Sequence, residues 1–226
     1  MAFGERWLTA LWPFVRAQLP PAPASVLEIG CGPLGGFVPR LRQGGYEATG
    51  VDRNAPAANG HAQVDFEHYQ PPRALDAIVA CRSLHHVGDL GEVIGLAASA
   101  LRPGGAMVVV EWAWERFDEA TARWCFARLD AAETADPGWL RRRRDGWLAS
   151  GESWDAYFGA WTAEGGLHRG DRILGELAAR FEPRLCDYGP YFFAELSETT
   201  EEDEQAAIAS GEIRATGIRY AGTLAF

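Results

Sequence analysis

The sequence predicts an α/β protein in which helices flank a doubly wound parallel sheet. Three observations indicate this fold: short apolar runs alternate with amphipathic segments, a glycine-rich turn follows the first apolar run, and an acidic residue ends the next one. With 226 residues, the chain is long enough to bury a sizeable core, and no linker interrupts its apolar segments. We therefore expect a single domain over residues 1–226.

The first half of the chain carries the alternating pattern. Residues 7–19 have the spacing of an amphipathic helix. A second helix is expected from about residue 34 to residue 43, with Pro33 in its first turn, where a missing N–H costs nothing. A third, at residues 89–101, ends before "RPGG". Apolar runs predict strands at residues 25–29, 46–52, 62–66, 75–81 and 106–112.

Two further strands are predicted near the end of the chain, at residues 182–188 and 214–226. A helix between them begins in "TTEEDEQ", residues 199–205, with a capping-box pattern, and Gly211 is its expected stop. The acidic run therefore has a structural explanation, because carboxylates complement the dipole at a helix N-terminus.

Residues 114–180 are predicted to form a helical cap that is rich in tryptophan. Four of its tryptophans recur at intervals of eight, seven and seven residues: Trp139, Trp147, Trp154 and Trp161. This spacing places them on one face of a helix if the segment is continuous. Glycines at positions 146, 151 and 159 indicate that it is broken.

Composition excludes several partners and chemistries. The formal net charge of −10 opposes binding to nucleic acid. The four cysteines form no CxxC pair, which argues against a metal site or a disulfide framework and favours a reducing cytoplasm. All 21 basic residues are arginine, which excludes a lysine Schiff base and the lysine of a phosphate-binding loop.

The N-terminal stretch is not expected to be a secretory signal, because its start is not basic and Pro13 interrupts its apolar part. No apolar run approaches the roughly 20 residues that cross a bilayer. We therefore expect a cytoplasmic protein without a membrane partner.

The turn in "VLEIGCGPLGG", residues 26–36, is typical of a site for a ribose-bearing cofactor. Gly30, Gly32 and Gly35 match GxGxxG directly after the first strand, and Asp52 ends the second strand. Glycine lets the backbone approach a ligand, and the acid accepts hydrogen bonds from ribose hydroxyls. Glu28 disfavours a pyrophosphate and favours a ligand with a positively charged ammonium and sulfonium. An NAD-dependent oxidoreductase is thus the less favoured alternative.

With these residues in place, residues 26–112 resemble the class I S-adenosylmethionine-dependent methyltransferases. "VLEIGCGPLGG" resembles their first motif, "GVD" the second and "VDF" the third, while "LDAIVACRSLHHVGDL" and "LRPGGAMVVVEW" resemble the fourth and fifth motif regions. The resemblance implies a Rossmann-like seven-stranded sheet of order 3-2-1-4-5-7-6. It further implies an antiparallel seventh strand, an N-terminal helix and a cap inserted after the fifth strand.

The resemblance also implies S-adenosylmethionine as cofactor, S-adenosylhomocysteine as product, and the residues that bind the cofactor. Asp52 would take the ribose hydroxyls, and Arg53 would flank the adenine. Asp65 and Phe66 would contact the exocyclic amine and ring nitrogen of the adenine. The residues implied around the methionine end are Glu28, Gly30, Cys31, Gly32, Cys81 and Arg82. Cys81 has a second interpretation as a small buried residue.

Methyl transfer is an in-line displacement, so an enzyme mainly aligns the acceptor and excludes water. If the acceptor is a hydroxyl, a general base helps, and histidine suits that role. His85 and His86 follow the fourth strand, and at most one should face the acceptor, because adjacent side chains point in different directions. The alternative is that both pack beside the cofactor. No metal site is expected on this pair.

The predicted function is transfer of a methyl group to oxygen, nitrogen or carbon of a small-molecule acceptor. The tryptophan-rich cap is expected to enclose it, because aromatic side chains suit a planar or apolar molecule. The alternative for these tryptophans is that they pack the cap or form a dimer interface. The alternative function is a protein that binds the cofactor without methylating, as a cyclase or a sensor.

Overall fold

The computed structural model describes residues 3–71, 74–129 and 138–224. The helices are α1 (Phe3–Gln18), α2 (Val38–Gln43), α3 (Leu90–Ala100), α4 (Glu119–Phe126), α5 (Gly138–Ser150), α6 (Trp154–Glu164), α7 (Gly170–Ala178) and α8 (Glu201–Ala209). The strands are β1 (Ser25–Ile29), β2 (Glu47–Val51), β3 (His61–Ala62), β4 (Leu75–Cys81), β5 (Leu101–Trp112), β6 (Phe181–Gly189) and β7 (Gly217–Leu224). Short 3₁₀ turns lie at Phe66–His68 and Leu84–His86.

Within the described residues, seven strands form one sheet in the order β3-β2-β1-β4-β5-β7-β6, with β7 antiparallel. β1 pairs in parallel with β2 and β4, and β4 pairs in parallel with β5. The strand order reverses between β1 and β4, and open α/β sheets bind ligands outside the carboxyl ends of the strands at such a point. The predicted α/β fold, the strand order and the antiparallel seventh strand are confirmed.

The helix after the glycine turn was predicted with the wrong start. It begins at Val38, and Pro39 rather than Pro33 occupies its first turn. Gly35 and Gly36 have φ angles of +79° and +58°, a left-handed conformation that a right-handed helix cannot contain. The glycine turn is therefore longer than the sequence pattern indicated.

The strand predictions differ mainly in length. β3 ends at Ala62, so most of the predicted third strand is wrong, and the chain instead enters the 3₁₀ turn at Phe66. β5 begins at Leu101 and includes the "RPGG" stretch that was expected to precede it. β1 and β4 have the predicted ends, and the other strands agree within a few residues. Residues 225–226 of the predicted last strand lie outside the described residues.

The helix ends agree with the capping chemistry of the sequence. Asp89 caps α3 by accepting the N–H of Glu92 at 2.9 Å. Thr200 and Asp203 form the predicted capping box of α8, and Gly211 follows its end with φ +76°. Within the described ranges, no helix is both long enough and apolar enough to cross a membrane.

The chain divides into two compact units. The first comprises the described residues of Met1–Trp112, His168–Asp187 and Ile218–Phe226, and the second comprises those of Ala113–Leu167 and Tyr188–Gly217. These units do not coincide with the predicted single domain of residues 1–226 or with its predicted cap of residues 114–180. α7 belongs to the first unit, and α8 belongs to the second. Those boundaries stay predictions, and residues 130–137 of the cap lie outside the described residues.

In the second unit, the recurring tryptophans lie on two helices. α5 ends before Gly151, which has φ +70°, whereas the other two glycines of the expected break lie inside α5 and α6. Trp139 stacks on Trp161 with ring centroids 6.0 Å apart, and Trp147 contacts Trp154 at 5.2 Å. The regular spacing therefore pairs aromatic side chains between two helices instead of forming one stripe.

Candidate active site

A cavity of about 460 Å³ is lined by the loops that follow β1, β2, β3 and β4. The predicted site residues in its lining are Gly30, Asp52, Arg53, Asp65, Phe66, Arg82 and His86. The remaining predicted residues lie outside the lining: Glu28, Cys31, Gly32, Cys81 and His85. Histidine, cysteine, aspartate and glutamate side chains in the described part of the chain form no cluster of three that could hold a metal ion.

Glu28 is buried beneath the glycine turn, with 1% of its surface exposed. Its Oε2 accepts the backbone N–H of Phe37 at 2.7 Å. Burial raises the Glu28 pKa to about 8, although the N–H groups of Phe37 and Val38 act to lower it. A Cβ at Gly36 would overlap the Glu28 carboxyl group. The residue thus holds the glycine turn, and its contact with a bound ammonium group stays a prediction.

The two cysteines of the predicted site are buried thiols. Burial raises the pKa of Cys31 to about 12, and the neighbouring Glu28 and Asp52 add to this rise. Burial also raises the pKa of Cys81 well above its ordinary value. Thiols that stay neutral are poor nucleophiles, which agrees with small packing groups at both positions, and their contact with the cofactor stays a prediction.

Asp52 connects two loops at the end of β2. Its Oδ2 accepts the N–H of Gly32 at 3.1 Å, and its Oδ1 accepts the N–H of Asn54 at 2.6 Å. Each carboxylate oxygen can accept more than one hydrogen bond, so both keep capacity for ligand hydroxyls. Gly32 lies outside the cavity lining, and its N–H group orients the Asp52 carboxylate that lines the cavity.

Arg53 and Asp65 form an ion pair at the cavity, with Nη2 and Oδ1 2.9 Å apart. Their side chains are 73% and 42% exposed, so the pair contributes little to stability. Phe66 follows Asp65 and is buried at the start of its 3₁₀ turn. The ion pair joins two positions that the sequence analysis assigned separately to the adenine.

The loop after β4 has an unusual backbone. Arg82 adopts φ +56°, which residues other than glycine rarely take. Ser83 Oγ donates to the carbonyl of Ile29 at 3.0 Å, and its side chain occupies the space that a Cβ on Gly30 would need. The guanidinium of Arg82 lies 5.3 Å from the centre of the Trp7 ring. These contacts fasten the loop to β1 and to α1.

The two histidines have different surroundings. His86 lines the cavity, whereas His85 is buried with 5% of its surface exposed. Nδ1 of His85 lies 2.7 Å from Oε2 of Glu111, and the same oxygen accepts the His85 backbone N–H at 2.9 Å. The ring centroids of the two histidines are 4.0 Å apart. The structure therefore brings His86, and not His85, to the cavity wall.

Burial lowers the pKa of His86 to about 4. His85 and Arg82 act in the same direction, whereas Glu111 acts against them. The imidazole of His86 is therefore neutral at pH 7 and offers a lone pair. A neutral imidazole at a cavity wall can accept a hydrogen bond from a bound hydroxyl, although a pKa of about 4 makes it a weaker base than a free histidine.

Glu111, which is fully buried near the end of β5, was not among the predicted site residues. The available indication was its place in "VVVEW", an acidic residue at the carboxyl end of an apolar strand. Carboxylates are seldom fully buried unless they are paired, so such a residue in a buried strand predicts a partner. The sequence does not identify that partner as His85, which lies 26 residues earlier.

The chain matches a family model described as a methyltransferase domain over residues 5–156. The ubiquinone biosynthesis O-methyltransferase of Bradyrhizobium sp. (strain ORS 278) is 33% identical over 97 residues, which cover 37% of this chain and 38% of that protein. The protein of the same name from Paramagnetospirillum magneticum is 26% identical over 137 residues, covering 54% of this chain and 51% of that protein. The chain thus spans about half the length of these curated relatives, or less.

Solved structures share the fold over nearly the whole chain. An S-adenosylmethionine dependent methyltransferase from Mesorhizobium loti matches with a TM-score of 0.56 and 19% identity, over 95% of this chain and 97% of that one. The N-methyltransferase NodS from Bradyrhizobium japonicum WM9 has a TM-score of 0.54 and 16% identity, over 99% and 88%. The family match covers more than half of the chain's length and shows that the chain belongs to the methyltransferase domain family.

Proposed function

We propose that the chain binds S-adenosylmethionine in the cavity beyond β1, β2 and β4 and transfers its methyl group to a hydroxyl oxygen of a small planar acceptor. One observation carries the proposal: Gly30, Asp52, Asp65 and His86, from four different loops, line the same cavity. In the proposal, Gly30 allows close approach of the cofactor, Asp52 and Asp65 accept its hydrogen bonds, and His86 accepts the proton. A volume of about 460 Å³ lies in the range of small-molecule sites.

The adenosine would be held by the loops after β2 and β3. The Asp52 carboxylate has oxygens that can accept the ribose hydroxyls, and Asp65 would accept the adenine amine. The methionine end would lie beside Gly30 and Arg82. A backbone without a side chain allows close approach there, and a guanidinium pairs well with a carboxylate.

When bound, S-adenosylmethionine supplies a methyl carbon on a positively charged sulfur. With a pKa of about 4, His86 would take the proton only as the acceptor oxygen bonds to that carbon, because bond formation makes the hydroxyl proton strongly acidic. The electron pair of the broken S–C bond stays on sulfur, so the products are the methyl ether, S-adenosylhomocysteine and protonated His86.

Oxygen is proposed as the acceptor atom from the names of the relatives, which are ubiquinone biosynthesis O-methyltransferases. The structural neighbours include an N-methyltransferase and a geranyl diphosphate C-methyltransferase from Streptomyces coelicolor A3(2), so the fold favours no acceptor atom. A hydroxyl is also a group that gains from a neutral histidine base.

Thermal unfolding with S-adenosylmethionine, S-adenosylhomocysteine or NAD tests the cofactor. A ligand at about 100 times its Kd stabilises by roughly 2.7 kcal/mol, which corresponds to about 5–10 °C for a chain of this size. We expect both sulfur compounds to raise the Tm and NAD to leave it unchanged. A rise with NAD alone would overturn the proposal in favour of the oxidoreductase alternative.

Three planar isosteres test the acceptor atom: catechol, 2-aminophenol and o-phenylenediamine. We expect S-adenosylhomocysteine and a methyl ether from catechol, and no methylated product from the diamine. An N-methyl product from the diamine would overturn the hydroxyl assignment. Cofactor binding without turnover of any isostere would favour the cyclase or sensor alternative.

A further inference from the structure

We propose that Glu111 is a positioning residue for methyl transfer, which sets the tautomer of His85 and, through the His85 ring, the place of the His86 imidazole on the cavity wall. The inference rests on the proposed function, in which His86 takes the proton of the acceptor. Glu111 itself lies outside the cavity lining, so it acts through the histidines and does not touch the acceptor.

Glu111 and His85 form a buried pair with two hydrogen bonds through one oxygen. Oε2 lies 2.7 Å from Nδ1 and 2.9 Å from the backbone nitrogen of His85, and the side chains of Glu111 and His85 are 0% and 6% exposed. Nδ1 is the ring nitrogen that faces the carboxylate, so a neutral His85 ring that donates to Glu111 carries its hydrogen on Nδ1 and its lone pair on Nε2. Free imidazole side chains in water prefer the opposite tautomer.

The turn that carries both histidines is held from a second direction. The carbonyl of His85 accepts the N–H of His168 at 3.0 Å, and Nε2 of His168 lies 2.8 Å from the carbonyl of Val87. Hydrogen bonds from His168 therefore hold the 3₁₀ turn Leu84–His86 at its central residue, His85, and at Val87, which follows the turn. A turn held in this way restricts the position of the His86 ring, as an oriented proton acceptor requires.

The contact between the two imidazoles connects Glu111 to the cavity. The rings of His85 and His86 have centroids 4.0 Å apart at an angle of 43°. Three groups act electrostatically on His86: Glu111 and Arg82, and also His85 when its ring is protonated. Glu111 raises the pKa of His86, whereas the other two lower it, so loss of the Glu111 charge lowers that pKa further.

Stability alone does not explain a carboxylate at this position. Oε1 of Glu111 is buried and has no hydrogen-bond partner among the described residues. Burying a carboxylate costs desolvation energy that its hydrogen bonds often fail to recover, and an unsatisfied oxygen adds to that cost. The effect of Glu111 on the tautomer of His85, to which its other oxygen is bonded, accounts for the buried carboxylate.

Long-range ¹H–¹⁵N NMR spectra of the imidazole rings, recorded without cofactor, test which nitrogen of His85 carries the hydrogen. We expect His85 to carry its hydrogen on Nδ1 in the wild type and on Nε2 in Glu111→Ala. Glu92→Ala, an exposed change on α3, is the matched control and should leave the His85 tautomer unchanged. A wild-type His85 with its hydrogen on Nε2 would overturn the proposal, and this measurement needs no variant to fold.

Kinetics test the positioning itself. Glu111→Gln keeps the shape of the side chain and removes its charge, so kcat for catechol is expected to fall about 10- to 100-fold while KM for S-adenosylmethionine stays the same. Glu111→Asp, which keeps the charge, should restore part of the loss. An unchanged kcat in Glu111→Gln would overturn the proposal. If the wild type neither binds S-adenosylmethionine nor methylates catechol, the proposed function fails, and the tautomer spectra still decide the Glu111–His85 pairing.

Discussion

The carboxyl group of Glu28, at the end of β1, accepts the backbone N–H of Phe37 at 2.7 Å and so joins the two ends of the glycine turn. The bond spans nine residues and is buried. Gly36 lies against the same carboxyl group, where no other side chain fits. Part of the glycine content of this turn is therefore required by a buried glutamate, and the rest leaves the backbone open toward the cavity.

Replacing Gly36 by alanine should destabilise the protein more than replacing Gly32. Both glycines have left-handed φ angles, +58° and +62°, so each alanine costs about 1 kcal/mol in backbone strain. At Gly36 the new Cβ also overlaps Glu28, whereas nothing lies within 4 Å of a Cβ at Gly32. Urea unfolding should show losses of about 3 kcal/mol or more and about 1 kcal/mol, respectively. Equal losses would contradict the packing of Glu28 against the turn.

Replacing Glu28 by glutamine should change how the free energy of unfolding depends on pH. The pKa of Glu28 is about 8 in the folded chain and ordinarily 4.5, so between these values the folded state keeps a proton that the unfolded chain has lost. This contribution to stability is complete below pH 4.5 and is lost as the pH rises to 8. Glutamine does not titrate, so Glu28→Gln should gain stability relative to the wild type from pH 5 to pH 8.

Urea unfolding at pH 5 and pH 8 measures this change, with the surface variant Glu92→Gln as control. A difference between Glu28→Gln and the wild type that stays constant over this range would show that Glu28 is ionised in the folded protein.

Replacing Asp52 by alanine should weaken the binding of S-adenosylmethionine by about 1–3 kcal/mol, because two ribose hydroxyls lose their acceptor. Isothermal titration calorimetry measures the Kd. Asp52 also bonds to the N–H groups of Gly32 and Asn54, so the titration is made at a temperature where the variant is shown to be folded. Glu92→Ala is the control, and an unchanged Kd in Asp52→Ala would refute the ribose assignment.

Replacing Trp154 by alanine should destabilise the second unit more than any change at Trp161. Trp154 is 1% exposed, stacks on Phe158 at 4.7 Å and donates from its indole to the carbonyl of Phe117 at 2.7 Å. We expect a loss of about 3–5 kcal/mol for Trp154→Ala in thermal unfolding. Trp154→Phe keeps a ring and leaves that carbonyl without its donor, at a cost of about 1–2 kcal/mol. A smaller loss in Trp154→Ala than in Trp161→Ala would contradict this packing.

Much of the fold could be predicted from sequence because it depends on local patterns, and seven of the predicted site residues line one cavity. β1 and β4 are short apolar runs with clear ends, and the capping box of α8 and the glycines are recognised within a few residues. Asp52 was assigned to the ribose because the acid at the end of the second strand has a fixed relation to the first turn, and that role stays a prediction. Such features follow from the period of a strand and from backbone sterics, which the sequence alone determines.

What the tertiary structure decided is which distant side chains meet. Glu111 reaches His85 because β4 and β5 are neighbouring parallel strands, a relation that neither segment encodes by itself. The same pairing buries His85 and leaves His86 on the cavity wall, although the two are adjacent in sequence. The pKa values of Glu28 and His86 also depend on burial by many residues at once. Desolvation and contacts across the sheet are properties of the assembled core, so no local pattern in the sequence can determine them.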